Sequence, residues 1–282
     1  MPKIVINPIG GLANRMRAIA CGISLAQRLN VPYSILWAKN WELNAEFNDI
    51  FLPNSLIDGI ISYPCGLTYA LFYSPPRKKN CFVTSLTLRR FGLSLIDSKP
   101  KLSELISLEL ITEIIGKTLN QNKDVFIQSG LEFCDFSDSL YRKLFRPNHI
   151  VMQRVKALEV SLGENRIGLH IRRSDNLQSI KHSPDYLFQS KIDEILNADP
   201  TTKFYLASDN EETKSMFRNK YPGIIFTSAS PAVRNSKEGI IDAVVEMTIL
   251  SRTRQIFGSF YSSYSEAAAT LGGVPLQQLT KK

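Results

Sequence analysis

The sequence predicts an α/β chain of two Rossmann-like domains facing a cleft. Three observations carry this. From Arg166 onward, short apolar runs alternate with helical patterns, which specifies a parallel sheet with helices on both faces. From Lys3 to Trp37 the chain shows the same strand–helix–strand unit. Between them, residues 40–100 break both rhythms and are rich in Pro, Asn and aromatics. The 282 residues are enough for two such domains. We place them at 1–155 and 156–282.

The first domain opens with a strand over Lys3–Asn7, the loop Pro8-Ile9-Gly10-Gly11, a helix over about Asn14–Leu29 and a strand over Tyr33–Trp37. Residues 40–100 read as loops and short helices. An amphipathic helix is expected over Leu102–Leu119 and a strand over Asp124–Gln128. The boundary falls in the segment Pro147–Asn165, because a fresh strand starts at Arg166.

The second domain runs strand Arg166–Ile171, then a helix from Ser183-Pro184 to about Leu196, with Pro at the first helical position. Strand Lys203–Ala207, a helix over about Asn210–Lys220 and strand Ile224–Thr227 follow. Helix Gly239–Ser251, strand Gln255–Gly258 and helix Ser262–Leu271 come next, the last closed by Gly272-Gly273. Val274–Leu276 reads as an edge strand. Ligands of such sheets sit beyond the carboxyl ends of the strands. The informative loops are therefore those after Ile171, Ala207, Thr227 and Gly258.

Composition narrows the function classes. With 44% hydrophobic and 21% charged residues the chain is not disordered. Its net charge of +8 suits nucleic acid, anionic lipid or phosphorylated substrates, and chooses none of them. The most apolar long stretch, Ile57–Tyr73, is interrupted by Asp58, Pro64 and Gly66 and is too short to span a bilayer. The N-terminus reads as a strand, not a signal peptide. Cys21, Cys65, Cys81 and Cys134 show neither CxxC nor metal-ligand spacing. Reduced, structural thiols in a cytoplasmic protein are expected.

The chemistry concentrates in the loops. In Gly168-Leu169-His170-Ile171-Arg172-Arg173-Ser174-Asp175-Asn176, two arginines leave the end of a strand. Arginine presents a fixed fork of donors suited to phosphate oxygens. Neighbours on an extended chain point to opposite faces, so one arginine can face a ligand while a carboxylate such as Asp175 holds the other. The whole group also reads as a surface salt-bridge cluster.

Gly258-Ser259-Phe260-Tyr261-Ser262-Ser263 leads into a helix, whose N-terminal N–H groups and serines make an anion site. Ser263-x-x-Glu266 also fits a capping box, which leaves Ser262 for phosphate. Ser208-x-x-Glu211 fits another. Asp242 and Glu246 share one face of an apolar helix. A carboxylate there can accept both N1–H and N2–H of guanine, or pair with Arg252 or Arg254.

Gly10-Gly11-Leu12-Ala13-Asn14-Arg15 joins the first strand to the first helix, and its glycines allow close backbone approach. It lacks the GxGxxG and GxxxxGK[ST] patterns, and reads equally as a tight turn. His149 and His182 have no metal partner at useful spacing. Arg77-Lys78-Lys79 reads as a solvated loop or a contact to anionic lipid or a phosphorylated acceptor. No Gly-x-Ser-x-Gly or HExxH occurs.

Taken together, these loops resemble the α1,2-, α1,6- and protein O-fucosyltransferase clan, which includes the bacterial nodulation fucosyltransferases. His170-Ile171-Arg172-Arg173-Ser174-Asp175 matches its His-x-Arg-Arg-x-Asp motif. Phe204–Asn210 looks like its second motif, and Glu246–Ser263 like its third. Gly10–Arg15 is similar to the Gly-Gly-Leu-Gly-Asn-Gln element of related members. Residues 40–125 match nothing comparable.

The resemblance implies a GT-B glycosyltransferase that transfers fucose from GDP-fucose to a glycan hydroxyl, inverts the anomeric centre and needs no metal ion or other cofactor. It gives Arg172 the β-phosphate and the leaving GDP. His170 and Glu246 would hold the guanine and ribose end, Ser262 or Ser263 would contact phosphate, and Asp209 would support Arg172 and Arg173. Gly11, Asn14 and Arg15 would line the cleft near the sugar; Asp175, an acidic residue of the first domain such as Glu42, and an oxocarbenium-like path with little base help all stay open for the acceptor proton. The chain departs from the pattern at Glu246, where Asp is usual, at Arg15, where Gln is frequent, and at Asn210, which replaces a second Asp. A different nucleotide sugar therefore stays open, as does a non-catalytic protein that binds nucleotide or nucleic acid. For the enzyme, the expected setting is bacterial polysaccharide biosynthesis in the cytoplasm, with peripheral inner-membrane contact and no nucleic-acid partner.

Overall fold

The computed structural model describes residues 1–57, 59–64, 87–96, 108–174, 176–228 and 233–281. Cys65, Cys81, the basic cluster Arg77-Lys78-Lys79, Asp175 and the first turn of the helix expected from Leu102 lie outside them. The chain divides into two compact units, residues 1–48 with 53–145, and residues 49–52 with 146–282.

The first unit contains β1 (Ile4–Pro8), α1 (Leu12–Leu29), β2 (Tyr33–Lys39), β3 (Ile60–Pro64), β4 (Leu93–Ile96), α2 (Leu108–Asn120), β5 (Val125–Ser129) and α3 (Asp138–Leu144). The sheet order is β3-β2-β1-β5-β4, and every pairing is parallel. Strands β1 and β5 lie at the centre and are buried along their whole length. Burial on both faces is why they read as continuous apolar runs. Strands β3 and β4 fall where the sequence reads as loops. Both are edge strands: one ends on Pro64, the other has four half-buried residues, so neither shows a clear two-residue alternation. Helix α1 starts two residues earlier than expected, with Gly11 in extended conformation at its N-cap.

The second unit contains α4 (His149–Leu162), β6 (Arg166–Ile171), α5 (Leu177–His182), α6 (Asp185–Ala198), β7 (Lys203–Ser208), α7 (Glu211–Lys220), β8 (Ile225–Phe226), α8 (Lys237–Leu250), β9 (Ile256–Ser259), α9 (Ser263–Gly272) and β10 (Leu276–Leu279). The order is β10-β9-β6-β7-β8, again all parallel. Ile167, Leu169 and Ile171 of β6 with Phe204 and Leu206 of β7 pack on Phe188, Ile192 and Phe217 from α6 and α7. Fully burying side chains of this size contributes about 1.5–3 kcal/mol each.

The division falls at Phe145/Arg146 rather than at 155/156. Helix α4 is the reason. Its Arg154 pairs with Glu238 (2.7 Å) and Asp242 (2.8 Å) of α8, and its Val151 and Val155 are buried. Leu52 N–H also donates to Arg146 O at 2.8 Å, which ties residues 49–52 to this unit. Pro184 is the N-cap of α6, not its first helical residue; the helix begins at Asp185. Among the described residues no helix is long and apolar enough to cross a membrane.

Candidate functional site

In the second sheet, β6 connects onward to β7 on one side and has β9 on the other. The crevice beyond the carboxyl ends of β6 and β9 is the topological switch point, where open α/β sheets bind ligands. Arg172, Asp209, His170 and Ser262, singled out in the sequence, come together there.

Arg172 is the first residue beyond β6. Its N–H donates to Ser259 Oγ at the end of β9 (3.0 Å), and its Nε pairs with Asp209 Oδ2 (3.0 Å). Arg173 turns the other way, as extended backbone requires. Its Nε donates to Asp185 Oδ1 (2.9 Å), one terminal nitrogen to Arg172 O (2.7 Å) and the other to Ser183 O (2.7 Å). The carboxylate that holds the second arginine is thus Asp185 of α6. Arg173 is braced against its own unit, while Arg172 stands at the switch point.

Asp209 organises the loop. Its Oδ1 accepts from Arg173 N–H (2.7 Å), and its Oδ2 accepts from Ser174 N–H (3.3 Å) and Ser174 Oγ (2.5 Å). Burial opposes its charge, but Arg172, the Ser174 hydroxyl and the Arg173 N–H outweigh this and hold the carboxyl below its ordinary value. Hydrogen bonds to the charged form act in that direction.

His170, the penultimate residue of β6, is buried against Tyr264, with ring centroids 4.8 Å apart. Burial, reinforced by the positive charge of Arg172, lowers its pKa to about 3. The ring is therefore neutral near pH 7. Its Nδ1 lies 3.3 Å from Ser262 Oγ.

Ser262, not Ser263, is the N-cap of α9, and its side chain makes no capping bond. The expected Ser263–Glu266 capping box is not formed, because Ser263 is already the first helical residue. The Ser262 hydroxyl is directed to His170 instead. The Ser208–Glu211 box is absent too. Ser208 Oγ donates to Ile171 O (2.7 Å), and Asn210 caps α7 by accepting from Thr213 N–H (2.7 Å).

Glu246 is buried and pairs with neither Arg252 nor Arg254. Its Oε1 accepts from Lys214 Nζ (3.0 Å) and Ser228 Oγ (2.7 Å); among the described residues no group donates to Oε2. Burial raises its pKa, opposed by Lys214 and Ser228. Asp242, on the same helix, is taken up by Arg154. Lys214 was not legible as a site residue: it sits in a strongly polar helix, yet its side chain is only 1% exposed. Helix α5 was also missed. Through Asn176 Nδ2 to Tyr261 O (3.1 Å) and Ser179 Oγ to Phe260 O (2.6 Å), it straps the loop after β9 to the loop after β6.

In the first unit, the Gly10-Gly11 loop leaves β1 beside the end of β5, the corresponding switch point of that sheet. Gly10 has φ +81°, a conformation that favours glycine, and a Cβ there would meet Asn14 Nδ2 at 2.9 Å. A Cβ on Gly11 would meet open space, so that position stays accessible. Asn14 Oδ1 accepts from Arg17 (2.9 Å), which also donates to Gly130 O (2.9 Å). Arg15 is wholly buried. It donates to Gly10 O (2.8 Å), to Ala38 O and to Asn40 Oδ1 (2.8 Å). Its guanidinium joins the ends of β1 and β2 rather than presenting a charge at the surface.

No family model matches the sequence, and no curated protein matches it. Solved structures do. Fucosyltransferase NodZ from Bradyrhizobium aligns at a TM-score of 0.62 and 17% identity, over 98% of this chain and 94% of that one. POFUT1 in complex with GDP aligns at 0.60 and 11% identity, over 99% and 98%. The chain has the fold of the fucosyltransferases. Arabidopsis thaliana FUT1 in complex with GDP shares this fucosyltransferase fold at a TM-score of 0.62 and 14% identity, over 99% of this chain and 70% of that one. The fucosyltransferase fold is of the GT-B type, with two parallel sheets, as the strand orders above require.

Proposed function

We propose that the chain is an inverting, metal-independent glycosyltransferase that takes fucose from GDP-fucose and delivers it to a glycan hydroxyl. The single observation behind this reading is Arg172, its guanidinium held by Asp209 and its N–H by Ser259 at the switch point of a fucosyltransferase fold. The fold's relatives support the donor, since NodZ was soaked with GDP-fucose and POFUT1 carries GDP.

The chemistry follows from charge. The acceptor oxygen attacks the anomeric carbon while the bond from that carbon to the β-phosphate oxygen breaks. The electron pair stays with GDP, and the acceptor proton leaves to solvent or a base. Negative charge grows on the β-phosphate oxygen. The Arg172 guanidinium and the first N–H groups of α9 stabilise it where it develops. An arginine fork supplies the positive charge that a metal provides in other transferases. Glu246 Oε2 accepts from the guanine edge, Lys214 and Ser228 fix the carboxylate through Oε1, and neutral His170 packs beside it.

The test is turnover of GDP-fucose, read as GDP release. Arg172→Ala is expected to lose at least about 100-fold in kcat, roughly 2.7 kcal/mol. Arg172→Lys keeps a cation for Asp209 and separates lost chemistry from lost folding; it is expected to stay folded and slow. An Arg172→Ala enzyme that keeps most of its rate overturns the assignment.

A further inference from the structure

The turn from β9 into α9 is held in a conformation that its own residues do not favour. Tyr261 has φ +52°, a left-handed backbone that is rare for a bulky side chain and persists only where its surroundings impose it. It stands between Ser259, the last residue of β9, and Ser262, the N-cap of α9. The direction of the first N–H groups of α9 therefore depends on it.

The short helix α5 imposes the turn. Asn176 Nδ2 donates to Tyr261 O (3.1 Å), and Ser179 Oγ to Phe260 O (2.6 Å). Ser183 Oγ accepts from Phe260 N–H (2.7 Å) and donates to Leu279 O of β10 (2.5 Å). Asn176, Ser179 and Ser183 are spaced by three and four residues, hence on one face of α5. Ser179 and Ser183 are fully buried. A buried hydroxyl needs some partner; here two hydroxyls and an amide converge on two consecutive residues of one turn.

The segment that supplies these bonds begins at Arg172, whose own N–H donates to Ser259 Oγ (3.0 Å). Residues 259, 260 and 261 are thus each tied to the chain between Arg172 and Ser183. Donors fixed in advance cost no reorganisation when charge develops on a phosphate. A turn that let Tyr261 relax to ordinary backbone would forfeit that advantage.

We propose that Asn176, Ser179 and Ser183 are positioning residues for the β-phosphate of the donor nucleotide. They hold the β9–α9 turn so that the first N–H groups of α9 and the Arg172 guanidinium address one phosphate. This rests on the glycosyltransferase reading and adds to it residues that act through the turn, not on the donor itself.

Calorimetric titration of the full chain with GDP and with GMP tests it, because GMP lacks the β-phosphate. The wild-type chain should bind GDP about tenfold or more tightly than GMP. Ser179→Ala should weaken GDP about tenfold and GMP less than about twofold. Asn176→Ala should show the same split, at about threefold for GDP. Asn176 is half-buried, so this variant carries the test if Ser179→Ala does not fold. A residue needed only for folding lowers the binding-competent fraction or weakens both nucleotides alike. Equal losses for GDP and GMP, or unchanged GDP binding, overturn the positioning role. A wild-type chain that binds GDP no better than GMP also overturns it, while nucleotide binding itself stands. A wild-type chain that binds neither overturns the glycosyltransferase reading and this role with it.

Discussion

Replacing Lys214 by Met probes the buried pair behind Glu246. Lys214 is 1% exposed and Glu246 9% at the side chain, with 3.0 Å between Nζ and Oε1. Removing one partner of such a pair leaves an uncompensated buried charge, at a cost of about 3–5 kcal/mol. For a unit the size of residues 146–282, about 3 °C of midpoint per kcal/mol gives a fall of roughly 10–15 °C.

The pH dependence has a definite sign. Burial already raises the Glu246 pKa with Lys214 in place. Without the lysine it rises further, so the folded variant takes up a proton that the unfolded chain releases. A group raised in the folded state contributes stability at low pH and loses it as pH rises through the folded value. The gap between wild type and Lys214→Met should therefore be small near pH 5 and grow toward pH 8. Paired thermal and urea unfolding across that range measures it. A pH-independent gap, or one below about 2 °C at pH 8, refutes the coupling.

Three further outcomes follow from the geometry. His170, with its pKa lowered to about 3 mainly by burial, should show no imidazole titration by NMR between pH 5 and 8. The unfolded chain binds that proton more readily, so stability should fall as pH drops below about 6.5. Arg173→Ala should lower stability by about 2 kcal/mol, a charged hydrogen bond discounted for the partial exposure of Asp185; urea unfolding checks this. Arg15→Met takes this donor from Gly10 O and Ala38 O, whereas Asn40 Oδ1 keeps the N–H groups of Glu42 and Leu43. At about 1–3 kcal/mol for each unmet group, unfolding of the first unit should shift by at least about 2 kcal/mol.

What was legible in the sequence was periodic or central. Buried parallel strands such as β6 show as unbroken apolar runs, and their helices follow at regular intervals. Edge strands β3 and β4 left no such trace, since one ends on Pro64 and the other is half-buried at every position. The arginine loop was legible because adjacent residues on extended chain must diverge. Which carboxylate would hold Arg173 was not, since Asp185 comes from another helix. The two capping boxes failed for different reasons. Ser208 found a carbonyl on β6, a long-range partner that outcompetes a local motif, and Ser263 is already inside the helix that Ser262 starts. Lys214 and Ser228 were invisible because only the fold brings them to Glu246.

The central claim is a guanine-nucleotide site organised by Arg172 and Glu246 without a metal. Its most direct test is thermal unfolding with GDP, UDP, ADP and CMP, each with and without EDTA. A ligand at about 100 times its Kd adds roughly 2.7 kcal/mol, a shift of several degrees for units of this size. We expect GDP alone to raise the midpoint, and EDTA to change nothing. A larger shift with UDP contradicts the guanine assignment, and no shift with any nucleotide contradicts the site.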